Sequence, residues 1–142
     1  AFLADGSMLF VASRGPAANG EPATLLVYNY DPASARDPVL VDVLPTGVGP
    51  TRVLVSPPVA GRELVFVVCF TARMVFVYDP LLRLPIATLA FARGPHALAF
   101  DSDPIRPRAY LGDFTHSAVH VVNLMTFDRI LTIGVPRTPP EL

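Results

Sequence analysis

The sequence predicts an all-β chain of short antiparallel strands, and three observations predict it. Sixteen prolines in 142 residues, about twice the usual share, combine with nine glycines to leave little room for long helices. Hydrophobic residues make up 51% of the chain and charged ones only 16%, so there is ample material for a packed core and no signature of a disordered tail. Short runs rich in Val, Phe, Tyr and Ile recur between turn residues, at strand length rather than helix length.

The runs recur with a period. Shifted by 44 residues, Leu64 to Ala90 lies without a gap on Arg108 to Gly134, placing Phe70 on Phe114, Thr71 on Thr115, Val75 on Val119, Val77 on Val121, Ile86 on Ile130 and Thr88 on Thr132. The same shift carries Arg93 to Leu98 onto Arg137 to Leu142, so residues 137–142 read as the opening of a further unit. A looser copy comes first. Leu9-Phe10-Val11 resembles Val65-Phe66-Val67, and Tyr30-Asp31-Pro32 resembles Tyr78-Asp79-Pro80, although Val27-Tyr28-Asn29 competes for the place of Val77-Tyr78-Asp79. This copy carries about eleven extra residues, assigned to Gly15 to Ala23 and around Ala33 to Pro38, because surface loops absorb length at small entropic cost. The units run over about 1–48, 49–92 and 93–136.

Four strands are expected in each unit. In the second they are about Arg52 to Ser56, Leu64 to Phe70, Met74 to Asp79 and Ile86 to Phe91; in the third, His96 to Asp101, Arg108 to Phe114, Ala118 to Asn123 and Arg129 to Gly134. Connections such as Thr71-Ala72-Arg73 are far shorter than the dozen or more residues of a parallel crossover, so the strands form an antiparallel meander. Val65-Phe66-Val67-Val68 and Val75-Phe76-Val77-Tyr78 are apolar throughout, whereas a strand with one wet face alternates. Both faces of that sheet are therefore covered. A four-stranded antiparallel sheet, covered on both sides and repeated every ~44 residues, is a blade of a β-propeller. The competing β-sandwich requires polar outward positions that these strands lack.

Gly94-Pro95-His96-Ala97-Leu98-Ala99-Phe100, Leu64-Val65-Phe66-Val67, Met74-Val75-Phe76-Val77-Tyr78-Asp79 and Ile86-Ala87-Thr88-Leu89 together resemble the YVTN-type β-propeller repeat. The resemblance covers nearly the whole chain as about three units. It departs from that pattern at Cys69-Phe70 and Asp113-Phe114, where the family usually has Ala-Asn or Thr-Asn. It implies a periplasmic or extracellular setting and a binding or surface role, with lactonase-type hydrolases and redox propellers among the relatives.

Propellers close with 4 to 8 blades, so three units leave two blade faces uncovered. At ~25 cal/mol per Å², an uncovered face of ~400 Å² corresponds to ~10 kcal/mol, which rivals the ~5–15 kcal/mol stability of an ordinary domain. The chain is therefore expected to be a piece of a longer propeller or half of a six-bladed assembly of two copies. Its first residues, Ala1 to Gly6, lack an initiator Met and a basic stretch, and read as the inside of a longer chain or a processed product.

Eleven basic residues, all arginine, against twelve acidic ones give a net charge of -1, which offers no footprint for nucleic acid. The longest uninterrupted apolar run, Leu64 to Phe70, is far below the ~20 residues of a transmembrane helix. Cys69 within Val67-Val68-Cys69-Phe70 reads as a buried, inert thiol. Asp31, Asp79 and Asn123 read as turn formers, and Asp101-Ser102-Asp103 starts like a calcium loop but runs into Pro104 without the Gly or distal Glu that completes one. His116 and His120, four apart on a strand, would lie ~13 Å from one another, too far to share an ion, and His120 takes the place of Phe76 as a packed, hydrogen-bonded residue.

In a propeller the first strand of each blade lines the central channel. Loops entering that strand and loops joining the second strand to the third then share one rim. This gathers Arg52, Arg73, Arg93, His96, Asp113 and His116 as candidates for binding a protein or small ligand. No Gly-x-Ser-x-Gly elbow, phosphate-cradling glycine loop or zinc-spaced Cys/His set is present, and the sequence calls for no cofactor, resident metal or catalytic residue. A non-catalytic binding or scaffold module is the expected function. The alternative is a lactonase-like hydrolase in which Asp113 acts with His96 or His116 and a metal held by further blades.

Overall fold

In the computed structural model, residues 1–15, 22–91 and 93–136 are described, and they form eleven strands and no helix. The strands are β1 (Met8–Ser13), β2 (Thr24–Asn29), β3 (Val39–Pro45), β4 (Pro50–Val55), β5 (Val65–Cys69), β6 (Met74–Asp79), β7 (Leu84–Ala90), β8 (Pro95–Phe100), β9 (Arg108–Asp113), β10 (Ala118–Asn123) and β11 (Arg129–Gly134). They pair antiparallel with their chain neighbours in three sheets, β1-β2-β3, β4-β5-β6-β7 and β8-β9-β10-β11. This is the meander that the short connections require. No helix of the described residues is long and apolar enough to cross a membrane.

The repeat extends to irregular backbone. The tight turns place Arg73 and Ser117, and then Arg83 and Phe127, in the left-handed region with φ of 58°, 50°, 55° and 61°. The members of each pair stand 44 residues apart. A non-glycine residue at positive φ carries a steric penalty, so its recurrence at equivalent places marks the same turn built twice. Bulges recur as well, between Val77 and Tyr78 and between Val121 and Val122. In the first sheet the corresponding bulge falls between Val27 and Tyr28. Val27-Tyr28-Asn29 therefore takes the place of Val77-Tyr78-Asp79, and Tyr30-Asp31-Pro32 lies beyond the strand.

The extra length of the first unit sits in its two connections. Residues 14–23 join β1 to β2 where 70–73 suffice in the second sheet, and 30–38 join β2 to β3 where 80–83 suffice. Residues 16–21 of the first insertion lie outside the described residues, as does the 137–142 segment expected to open a further unit.

One expectation is corrected. The first sheet has three strands, not four, because residues 1–7 fold into a tight turn and not into a strand beside β1. Gly6 N donates to Leu3 O, Leu3 N donates to Met8 O, and a single bridge, Phe2 to Leu9, marks the edge where a fourth strand would pair. The chain departs from the repeat at this point, since β1 and β2 correspond to the second and third strands of the later units.

The sheets stack. Val65, Val67, Cys69 and Tyr78 pack against Met8, Phe10, Leu25 and Val27 of the first sheet. From the opposite face, Phe66, Val68, Val75 and Val77 pack against Leu98, Ala109, Leu111 and Val122 of the third. Every residue of β5 is fully buried. The apolar-throughout pattern thus has its physical cause, because alternate side chains enter two different cores. The sheets approach one another along their first strands, with β8 against β4 and β5 and β1 against β4, while β11 is exposed along its whole length.

Phe66, fully buried with its ring 5.0 Å from that of Phe100, bridges the second and third sheets. Phe66→Ala is expected to destabilise the fold by about 3–5 kcal/mol, whereas Leu81→Ala at a 71% exposed position should stay within about 0.5 kcal/mol. Chemical denaturation of both variants, read as midpoint shifts at unchanged slope, checks this.

Candidate functional site

Antiparallel pairing sets Pro50 at the start of β4 opposite Cys69 at the end of β5, and Pro95 at the start of β8 opposite Asp113 at the end of β9. The loops entering β4 and β8 therefore share an edge with the β5-β6 and β9-β10 turns. Phe70 N donates to Gly49 O and Ala72 N donates to Val48 O, which ties turn to loop. A side chain on Gly94 would run into the Phe70 ring, so this glycine lets Phe70 lie flat across the entry to β8.

The predicted residues are distributed along this edge in two groups. His96 stands exposed between two phenyl rings, 6.4 Å from Phe70 and 6.5 Å from Phe114 by ring centroids, in edge-to-face geometry with both. Phe114 is 79% exposed and Phe70 41%. Asp113 and His116 form the second group, with His116 Nδ1 2.7 Å from Asp113 Oδ2. Among the described residues, no side-chain ion pair joins the three arginines to either group. Arg93 and Arg73 are exposed, and Arg73 serves its turn through its backbone, donating to Phe70 O and accepting from Phe91 N. Arg52 lines a groove of about 310 Å³ between β1 and β4 together with Phe10, Val11 and Pro50.

Asp113 is the centre of a buried polar network. Its Oδ1 accepts the backbone N–H groups of Thr115 and His116, and its Oδ2 faces both His116 Nδ1 and His120 Nε2, the latter at 3.6 Å. The two histidines thus converge on one oxygen, which corrects the expected ~13 Å separation. The premise fails because His116 lies in the turn and β10 begins only at Ala118, so the chain has reversed before it reaches His120. His120 is otherwise as expected, buried in its strand with Nδ1 3.0 Å from Thr132 Oγ1. A proton on Nε2, facing the carboxylate, leaves Nδ1 to accept from the Thr132 hydroxyl.

Burial pulls the Asp113 carboxyl upward, but the hydrogen bonds from the His116 ring and from the His116 and Thr115 backbones outweigh it and hold the carboxyl below the usual range. Burial, helped by the Arg129 guanidinium, pushes His120 down against the pull of Asp113. Arg129 is fixed over the Phe91 ring at 5.1 Å and donates to Ala90 O. Among the described residues, no three His, Cys, Asp or Glu side chains are grouped to hold a metal ion.

The turn-forming aspartates behave as such. Asp79 Oδ1 accepts from Leu81 N and Leu82 N while Oδ2 takes Arg62 Nη1 at 2.9 Å, Asp31 accepts from Ala33 N, and Asn123 accepts from Met125 N. Asp101 and Asp103 likewise cap their own loop, accepting from Asp103 N, Ile105 N and Arg106 N. Cys69 is fully buried, its thiol pushed up by burial and set 3.5 Å from Thr46 Oγ1.

Sequence reasoning missed the two phenylalanines and Thr132. Phe70 and Phe114 carried a signal, since they match under the repeat while sitting at strand ends beside turns. Thr132 carried none until pairing placed it opposite His120. Compared with known proteins, the chain matches no family model and no curated protein.

Both shifted groups lose stability in the same direction. A histidine whose folded pKa is depressed stabilises fully above its ordinary value near 6.5 and gives that up as pH falls, and Asp113 follows below the ordinary carboxylate value. Denaturation across pH should show stability declining from about pH 6.5 downward. His120→Phe, the residue of the preceding repeat, should flatten the decline between about pH 7 and 5. Asp113→Asn should cost about 1–3 kcal/mol at neutral pH, where a buried acceptor loses its charge-assisted partner.

Proposed function

We propose that the chain is a set of β-propeller blades serving as a non-catalytic binding module, and that its binding face is the Phe70-His96-Phe114 edge. The propeller reading is supported by the meander order of each sheet, by face-to-face stacking and by the approach of the sheets along β4 and β8. The motifs that resemble YVTN-type repeats carry it further, and with it the expectation of a periplasmic or extracellular setting. The observation that carries the function is the pair of exposed phenyl rings at equivalent positions of two neighbouring sheets, one on each side of an exposed imidazole. The two rings, exposed beside tight turns and with Phe70 seated against Gly94, present apolar faces with a polar group between them. That surface suits a ligand with a flat apolar face and a hydrogen-bonding edge, such as an aromatic ring, a sugar ring or a proline-containing peptide.

The lactonase-like alternative has the Asp113-His116 hydrogen bond in its favour. Against it, both oxygens of Asp113 are already engaged by its own turn and by His116, which suits a structural carboxylate better than a general base.

Backbone amide NMR of the chain, titrated with a panel of indole, monosaccharide and polyproline fragments, tests the proposal. At least one class should move the resonances of residues 70–73, 94–97 and 114–117, and Phe114→Ala should weaken that response several-fold. Shifts confined to other faces, or lactone and ester turnover abolished by Asp113→Asn, would overturn it.

A further inference from the structure

The charges of the described residues are sorted between the two edges of the stack. Arg14 follows β1, Arg52 lies near the start of β4, Arg73 closes the β5-β6 turn and Arg93 precedes β8, so all four stand at the edge that carries Phe70, His96 and Phe114. Arg14 Nε donates to Pro50 O, which brings the arginine of the first sheet to the entry of β4. All four are exposed, and among the described residues no carboxylate pairs with any of them. Among the described residues the carboxylate at this edge is Asp113, which is 4% exposed and has both oxygens engaged by its own turn. The other described carboxylates lie at the opposite edge, as Asp31, Glu63, Asp103 and Asp128 do, except for Asp42 within β3. A chain of net charge -1 thus presents one positive edge.

Taking this edge as the binding face, a reading on which the conclusion rests, we infer that its ligand is an acidic peptide segment of a protein partner. Apolar residues of the segment lie on Phe70 and Phe114, and its carboxylates meet the arginines. A guanidinium pairs with a carboxylate through two parallel hydrogen bonds, and no exposed carboxylate of the described residues at this edge competes for them. Extent selects a peptide over a small molecule. From Arg14 beside the first sheet to Phe114 on the third, the edge crosses two sheet spacings of roughly 10 Å, which about six extended residues cover at ~3.3 Å each. Sparse charge selects a peptide over single-stranded nucleic acid. Such a strand carries an anion at every nucleotide and gains from a continuous basic groove, whereas this edge offers separate arginines on a chain whose opposite edge holds most of its carboxylates.

Backbone amide NMR of the 142-residue chain tests this with four probes. They are a peptide of about eight residues with glutamates around a central Pro-Tyr-Pro, its glutamine and lysine counterparts, and an oligothymidylate of like length. The glutamate peptide should shift residues 70–73, 94–97 and 114–117 together with Arg14 and Arg52, and should bind about tenfold tighter than the glutamine peptide at low salt. That margin should largely vanish at about 1 M salt, where charges are screened within ~3 Å. Arg52→Glu with Arg93→Glu should turn the preference to the lysine peptide, with the amide spectrum away from the edge unchanged. Equal binding of the glutamate and glutamine peptides at these residues would overturn the anionic ligand and leave the aromatic edge standing. Glutamate-peptide shifts confined to the arginines and indifferent to Phe114→Ala would remove the phenyl rings from the site, and with them the reading on which the acidic peptide rests. Tighter binding of the oligothymidylate, or no binding of any probe at this edge, would overturn the peptide.

Discussion

Burial of β5 and β6 from both sides is the constraint on which the rest of the structure depends. A strand that is apolar at every position cannot rest with one face in water, and here its odd and even side chains enter separate cores. At ~25 cal/mol per Å² of apolar surface removed from water, each face contributes on the scale of the net stability of a whole domain. The middle sheet therefore requires its neighbours, and their orientation follows from sharing its pattern. Stacking like on like, at a constant repeat, keeps the same ends of successive sheets side by side.

That alignment is what places chemistry at one edge. Phe70 and Phe114 follow the second strand of their units, and His96 opens the first strand of the later one, so in a single sheet they would be scattered. In the stack the two rings bracket the imidazole. The Asp113 network has a local origin instead. A four-residue turn with Ser117 at positive φ swings His116 back over the carboxylate, and the returning strand brings His120 to the same oxygen. Four polar side chains, Asp113, His116, His120 and Thr132, thereby satisfy one another where the second repeat has an apolar Phe76.

Most of the fold was legible in the sequence because it is periodic. The boundaries of β6, β10 and β11 follow directly from the apolar runs, and those of the remaining strands in the second and third units to within two residues. The first sheet was less legible. Its insertions break the register, and its incomplete strand count depends on how Ala1 to Ser7 fold, where a Gly6 turn at φ 75° prevails over strand pairing. The candidate edge was legible as topology, since Asp113 with His116 and the entry position of His96 follow from antiparallel pairing. The convergence of His116 and His120 was not, because a rise of ~3.3 Å per residue holds only within one strand and the chain reverses between β9 and β10. Arg52, Arg73 and Arg93 show the opposite limit, for long exposed side chains take directions that spacing does not determine.

Native-state amide hydrogen exchange tests the sandwiched middle sheet most directly. If the two cores meet through β5 and β6, amides of Val65 to Cys69 and of Val75 to Val77 exchange only through global unfolding, and more slowly than those of β3 and β11. Exchange of the β5 amides at rates like those of β11, through local opening well below the global unfolding free energy, would contradict it.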